Sequence, residues 1–272
     1  VSEEARPGTQ MAADASYRRI VCAQQRRSTN FLAQAKRHIG LYAQPGSETV
    51  TMPCNDLVRL MYADRMMASA SSAAQIEESL RQANLQEAAR QFDAINYDNL
   101  PSSIRPDAEY KRAWCAAKTE AYDPVPALDR FIANYKDNPR MPEAYALRGA
   151  ALLKQGKYRQ AMSDFDTVIN DYPESPAAPV CMQKAAQAAS KGDEKDTARM
   201  VKYYESLIRC GDKKVKTSAL AEAHYNIARA LYEKEPAAAV EHFREAKLLD
   251  DKHYADHADM SIVQCYFKMK DA

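Results

Sequence analysis

The chain is poor in glycine and lacks the cysteine spacing of metal and redox motifs. It contains only 7 glycines in 272 residues, and none of its 6 cysteines belongs to a CxxC pair. No run of about 18 apolar residues occurs, so the sequence predicts no membrane-spanning segment. The formal net charge is +1, which provides no general attraction to nucleic acid or to an anionic membrane. These absences argue against a zinc or redox motif, an integral membrane protein and a nucleic-acid-binding protein.

Stretches rich in alanine, leucine, lysine, glutamate, arginine and glutamine predict an all-α chain. The clearest pattern lies in residues 142–175, where aromatic, small, turn and terminating residues stand at characteristic positions. These residues are Tyr145, Gly149, Leu152, Gly156, Tyr158, Ala161, Phe165 and Pro173. The spacing predicts two packed helices joined by a turn at Gly156, because a glycine in the left-handed conformation commonly follows a helix end. The block resembles a tetratricopeptide repeat, whose period is about 34 residues.

Neighbouring segments repeat this pattern more loosely. Further hairpins are predicted with helices at residues 108–118 and 125–135, 178–190 and 196–209, and 219–232 and 237–249. A small residue followed four positions later by an aromatic one recurs at Ala88 and Phe92, Ala127 and Phe131, and Ala239 and Phe243. Since one helical hairpin cannot bury its apolar face alone, we expect a stacked array. The predicted fold is an all-α, right-handed superhelix of hairpin repeats over residues 73–272.

The two ends of the array are less regular. Residues 255–269 predict the first helix of a repeat that has no second helix. This helix is either a solvating cap or, the favoured alternative, the point at which the natural protein continues. Residues 1–72 are predicted to be a helical region, either a diverged repeat or a cap. Residues 48–52 are the only candidate strand.

Within the N-terminal region, residues 16–43 are predicted to form one long helix. One face of this helix carries mostly core-type residues: Tyr17, Val21, Gln24, Ser28, Phe31, Ala35 and Tyr42. Asn55 or Asp56 is predicted to cap the helix at residues 57–70. Six basic residues and no acidic ones occur between residues 15 and 47: Arg18, Arg19, Arg26, Arg27, Lys36 and Arg37. They indicate either a solvated outer face, which is favoured, or a basic face for an acidic partner or lipid head group.

The residues capable of chemistry form no recognisable catalytic or metal motif. His253 and His257 share a helix face, as a metal pair requires, but the glutamate of the HExxH motif and a third ligand are lacking. No phosphate-binding loop or nucleophile motif is present either. We therefore predict no metal, no cofactor and no enzymatic activity. Cys115 is expected to be a buried thiol, whereas Cys22 and Cys54 provide the one candidate disulfide.

Two short segments make the resemblance to tetratricopeptide proteins more specific. Residues 154–158 read KQGKY and residues 171–176 read DYPESP, with Phe165 between them. They resemble tetratricopeptide proteins of the Gram-negative cell envelope, such as the periplasmic accessory protein of the Tol–Pal system and the repeat lipoprotein of the outer-membrane assembly machine. The resemblance implies a location in the periplasm or cell envelope, with peripheral association, and the cytoplasm is the alternative. The chain begins at Val1, as expected of a mature or engineered fragment whose targeting signal has been removed.

The resulting functional prediction is a non-enzymatic adaptor that binds other proteins on the concave surface of the array. Helix periodicity assigns to that surface Glu143, Ala146, Ala150, Leu153 and Lys154, with neighbouring contributions from Lys118 and from Asn226 or Arg229. Two alternatives remain. One is a structural subunit of a larger assembly or homo-oligomer, and the other is the helical domain of a longer enzyme.

Overall fold

The computed structural model describes residues 10–42, 53–72, 77–192, 196–211 and 213–271. Within these ranges the chain forms thirteen α-helices and one 3-10 helix, and it contains no β-strand. The prediction of an all-helical chain built from hairpin repeats is confirmed. The candidate strand at residues 48–52 lies outside the described residues. The chain divides into two compact units, residues 1–138 and residues 139–272, which we call the N-terminal and C-terminal units.

The helices of the N-terminal unit are α1 (Gln10–Gln25), α2 (Phe31–Tyr42), α3 (Pro53–Ser72), α4 (Glu78–Asp93), the 3-10 helix Tyr97–Asn99, α5 (Arg105–Thr119) and α6 (Val125–Asn134). Those of the C-terminal unit are α7 (Met141–Lys154), α8 (Tyr158–Asp171), α9 (Ala178–Lys191), α10 (Thr197–Cys210), α11 (Thr217–Leu231), α12 (Pro236–Leu249) and α13 (Asp251–Asp271). The predicted domain boundary after residue 72 adjoins residues 73–76, which are not described, so that division stays a prediction.

The hairpin of α7 and α8 follows directly from its sequence. Gly156 adopts a φ of 75°, and the backbone amides of Gly156 and Lys157 donate to the carbonyls of Leu153 and Leu152 at 3.1 and 2.9 Å. This pattern of two hydrogen bonds around a left-handed residue ends α7 and reverses the chain. Phe165 then packs against Gly149 with full burial.

The other hairpins reuse the same packing. Small and aromatic residues of the second helices are buried in pairs, namely Ala88 and Phe92, Ala127 and Phe131, Ala161 and Phe165, and Ala239 and Phe243. In α10 the corresponding buried positions hold Met200 and Tyr204. The small residue lets the facing helix approach, and the aromatic ring fills the space one turn further on. The spacing noticed in the sequence is therefore the core of each hairpin.

The prediction of one long helix over residues 16–43 is wrong, because the chain reverses between α1 and α2. Arg27 has a φ of 51°, and the amide of Ser28 donates to the carbonyl of Ala23 at 2.9 Å. This is the same helix-ending arrangement that Gly156 makes, with arginine in the position that glycine usually occupies. The predicted stripe is correct in part: Phe31, Ala35 and Tyr42 are buried, whereas Gln24 is exposed and the fully buried Ile20 was not included.

The predicted capping role of Asn55 and Asp56 is also wrong, because α3 begins earlier, at Pro53. The side-chain amide of Asn55 donates to the carbonyl of Tyr42 at 2.7 Å, and its oxygen lies 2.9 Å from His38 Nε2. Burial lowers the pKa of His38 although this hydrogen bond opposes the shift. Asp56 accepts from Asn96 N at 3.1 Å and from the side chain of Asn99 at 2.7 Å. Both residues thus connect α3 to other elements.

The cysteines behave as buried or surface thiols. Cys115 is fully buried on α5, as predicted, and burial raises the pKa of its thiol to about 12. Cys22 is exposed on α1 and Cys54 is buried on α3, and the structure records both as thiols, so the hypothesised disulfide is absent. The six basic residues of α1 and α2 and their connection all lie exposed, which both interpretations of that segment require.

Candidate protein-interaction surface

One face of α7 packs closely against α8. A Cβ atom built on Gly149 would lie only 2.6 Å from the ring of Phe165, so the two helices approach as closely as glycine allows. Beside this contact, Arg148 donates twice to Asp164, at 2.9 Å from Nε and 2.7 Å from Nη2. The guanidinium also lies 5.4 Å from the centre of the Tyr145 ring. Such a bidentate pair fixes orientation as well as distance.

The other face of α7 carries the predicted binding residues. Glu143, Ala146, Ala150 and Leu153 follow a spacing of three and four residues, which places them on one side of a helix. All four are half-buried, and Lys154 at the end of α7 is exposed. We call these five residues the α7 stripe.

Glu143 has an unusual environment within the α7 stripe. Its Oε2 atom is buried and finds no hydrogen-bond donor among the described residues. Because a buried acceptor without a donor costs about 1–3 kcal/mol, such atoms are rare in native proteins. This buried acceptor distinguishes Glu143 from Ala146, Ala150 and Leu153, whose side chains carry no polar atom.

The remaining predicted residues lie on other helices. Lys118 is exposed on α5 in the N-terminal unit, and its Nζ lies 5.7 Å from the centre of the Trp114 ring. Asn226 and Arg229 lie on α11, and Arg229 is exposed. The side-chain amide of Asn226 donates to the carbonyl of Glu222 at 2.9 Å. Both residues therefore lie on a different helix from the α7 stripe.

A polar network that sequence analysis missed connects α9 with α10 and α11. The carboxylate of Glu222 accepts from Gln183 at 2.6 Å, from Gln187 at 2.9 Å and from the hydroxyl of Tyr204 at 3.1 Å. Burial is the main reason that the pKa of Tyr204 is raised. The spacing of Gln183 and Gln187, four residues apart on α9, is the one sequence feature that indicated a shared partner. Since α9 also packs against α7, α9 contacts the helix of the α7 stripe and also takes part in this network.

Two histidines form a second polar contact, between α11 and α12. The Nδ1 atoms of His224 and His242 lie 3.0 Å apart, so one ring must donate and the other must accept. Burial lowers the pKa of both, and the proximity of His242 adds to the lowering for His224. The pair therefore favours the neutral state.

The described residues show no grouping suited to metal binding. Within them, no cluster of three or more histidine, cysteine, aspartate and glutamate side chains is arranged to hold a metal ion. His253 lies 2.9 Å from the carboxylate of Asp250 and is exposed, as expected of a pair at the start of α13. No described helix is both long enough and apolar enough to cross a bilayer.

Comparison with protein families identifies the kind of protein that carries these repeats. The model of the YfiO family, described as outer membrane lipoprotein, matches residues 67–205, which is just over half of the chain. The chain belongs to this outer membrane lipoprotein family. The matched part begins within α3 and ends within α10, so it includes the α7 stripe. The predicted resemblance to tetratricopeptide-type proteins of the cell envelope is confirmed.

One solved structure is similar over most of its length. It is a tetratricopeptide repeat protein from Parabacteroides merdae ATCC 43184, with 11% sequence identity and a TM-score of 0.38, and the match covers 94% of this chain and 99% of that chain. A comparison with curated protein sequences found no match. Membership of the outer membrane lipoprotein family supports a cell-envelope location and an interaction role for this chain.

Proposed function

We propose that this member of the outer membrane lipoprotein family is a non-enzymatic adaptor that binds another protein in the bacterial periplasm. Its binding surface in the C-terminal unit is the α7 stripe, and we predict that Asn226 and Arg229 on α11 also contact the partner. Lys118 on α5 stays a separate prediction within the N-terminal unit. The observation that carries the proposal is the division of α7 into two faces. One face is committed to α8 through Gly149 and Arg148, and the other carries half-buried side chains at helical spacing.

The chemistry of the α7 stripe suggests what its partner resembles. Ala146 and Ala150 have small side chains, so a partner helix or extended segment approaches the α7 backbone closely there. Leu153 supplies apolar contact area. Glu143 and Lys154 stand at opposite ends, about 16 Å apart along the axis at 1.5 Å per residue. The matching partner segment has an apolar centre, a basic end near Glu143 and an acidic end near Lys154.

Site-specific photo-crosslinking in the native cells tests this assignment. A photoreactive phenylalanine analogue is placed at Ala146, Ala150 or Leu153, and at Gln160 on α8 and Lys202 on α10, which are exposed controls. We expect the same crosslinked protein from the three α7 positions. Crosslinks from the controls alone, or from none of the α7 positions, would argue against the α7 stripe as the binding surface.

Charge exchange then tests the predicted polarity of the partner. The variant Glu143→Lys with Lys154→Glu keeps the net charge and reverses the two ends of the α7 stripe, so we expect the crosslinks to be lost. The matched control, Lys157→Glu with Glu174→Lys, makes the same change at two exposed positions outside α7 and should retain them. Equal crosslinking in both variants would show that Glu143 and Lys154 do not orient the partner.

A further inference from the structure

The exposed apolar side chains of the described residues are concentrated at the end of the C-terminal unit. Eight large hydrophobic residues are exposed among all the described residues, and five of these eight lie on α12 and α13. These five are Leu248 on α12 and Met260, Val263, Tyr266 and Phe267 on α13. Single exposed apolar residues are ordinary, whereas a contiguous group of them commonly marks an interaction surface.

The position of these residues on α13 explains why they are uncovered. Ala258 and Cys265 are fully buried against the core of the α11–α12 hairpin, so one face of α13 is committed to the rest of the unit. Met260, Val263 and Phe267 lie three and four residues apart on the opposite face. Their exposed fractions are 66%, 51% and 64%. We call Met260, Val263 and Phe267 the α13 seam.

Charged residues at the two ends of the α13 seam have opposite signs. Asp256 lies seven residues before Val263 and Lys270 lies seven residues after it, which is two helical turns in each direction and therefore the same face. Among the described residues neither side chain belongs to an ion pair. The seam thus runs from acidic through apolar to basic, with Val263 at its centre.

An identical helix in the antiparallel direction matches this pattern. If two copies of α13 cross at Val263, Met260 of each copy meets Phe267 of the other, and Asp256 of each copy meets Lys270 of the other. This is the self-complementary contact that a two-fold symmetric dimer requires. A parallel copy would instead oppose Asp256 to Asp256 and Lys270 to Lys270.

We propose that the α13 seam is a homodimer interface in which two chains pair antiparallel through α13. This inference is independent of the α7 stripe and of the family match, which ends within α10. Leu248 lies beside α13 and widens the contact. Because a single pair of helices covers less than the roughly 800 Å² per partner of a standard interface, we expect a dissociation constant on the order of micromolar.

Sedimentation equilibrium of the full chain, from about 1 μM to about 1 mM, measures this association. We expect a concentration-dependent monomer–dimer equilibrium that Phe267→Ser weakens at least tenfold. Since Phe267 is exposed, thermal unfolding of this variant should match that of the parent chain. A monomer throughout the concentration range would overturn the proposal. The seam would then be covered by another segment or another protein, or by nothing.

Exchanging the charges tests the antiparallel register. Asp256→Lys and Lys270→Asp should each weaken the dimer about tenfold, because each opposes like charges at both ends of the interface. The double variant should restore the dissociation constant to within about threefold of the parent value. Glu174→Lys, which makes the same charge change as Asp256→Lys at a residue whose side chain is 89% exposed, should have little effect. The assignment would be overturned if the single changes left the dissociation constant of the dimer unaltered, or if the double variant did not restore it.

Discussion

Replacing Gly149 with alanine would place a methyl group where the ring of Phe165 already lies. The added Cβ would be 2.6 Å from Phe165 Cε1 and 3.0 Å from both Cδ1 and Cζ. Carbon atoms in contact prefer a separation of about 3.5–4.0 Å. Because Phe165 is fully buried, its ring can yield only by displacing α7 or its neighbours in the core.

Two opposing effects determine the size of the change. Alanine is favoured over glycine in a helix interior by about 1 kcal/mol. Overpacking of a close-packed core costs about 1–3 kcal/mol, and here the atoms must separate by about 1 Å to reach normal contact. The difference between the two effects lowers the free energy of unfolding of Gly149→Ala by up to about 2 kcal/mol, which corresponds to a decrease in Tm of up to about 8 °C.

Urea denaturation followed by circular dichroism measures this change, and Gly40→Ala is the matched control. Gly40 lies in α2, where an added Cβ would meet nothing within 4 Å, so the same substitution should stabilise the chain by up to about 1 kcal/mol. In a Phe165→Leu background the cost of Gly149→Ala should decrease, because the ring is gone. A stabilising Gly149→Ala, or a cost unaffected by Phe165→Leu, would refute the packing argument.

Two further predictions concern polar contacts of the C-terminal unit. Arg148→Met should lower the free energy of unfolding by about 2–4 kcal/mol, measured by urea denaturation, because Asp164, only 5% exposed, would lose both of its charge-assisted hydrogen bonds. Lowering the pH from about 7.5 to about 5.5 should also destabilise the unit. The pKa values of His224 and His242 lie below their usual 6.5, so the unfolded chain binds more protons, and the stabilisation present above pH 6.5 is lost as the pH falls.

Each of these predictions has its own control. Asp164→Leu in the Arg148→Met background removes the unpaired carboxylate, and it should recover much of the lost stability. Denaturation midpoints of a variant with asparagine at both His224 and His242 should vary less between pH 7.5 and 5.5 than those of the parent chain. A full pH dependence in that variant would assign the effect to other groups, such as His38, whose pKa burial also lowers.

Local spacing was sufficient to predict the helical hairpins. The turn at Gly156, the pairing of Ala161 with Phe165 and the burial of Cys115 all follow from residues within one repeat. Backbone geometry imposes the helical period on any such segment, so these features are readable without knowledge of the remaining chain.

Contacts between distant residues account for the errors. The chain reverses at Arg27 without a glycine or proline that would predict a turn there. The reversal is favoured because Ile20 and Phe31 both pack into one core. That core includes Val58 and Tyr62 of α3. Likewise, Asn55 and Asp56 have the side chains of helix caps. The former instead binds Tyr42, 13 residues away, and the latter binds Asn99, 43 residues away.

The candidate sites also include features that local spacing predicts and features that depend on distant residues. Periodicity alone grouped Glu143, Ala146, Ala150 and Leu153 on one side of α7. The four-residue spacing of Gln183 and Gln187 is compatible with a shared partner, but their hydrogen bonds to Glu222 span 39 and 35 residues, so no local pattern identified that partner.

The sequence by itself determined the repeat, its turn and the kind of protein, because each depends on residues that are close together in the chain. Tertiary structure alone decided which helix faces are covered, because burial depends on what lies opposite a face and not on the residues that form it. The α13 seam illustrates the difference. Cys265 and Phe267 lie two residues apart on α13, yet Cys265 is fully buried and Phe267 is 64% exposed.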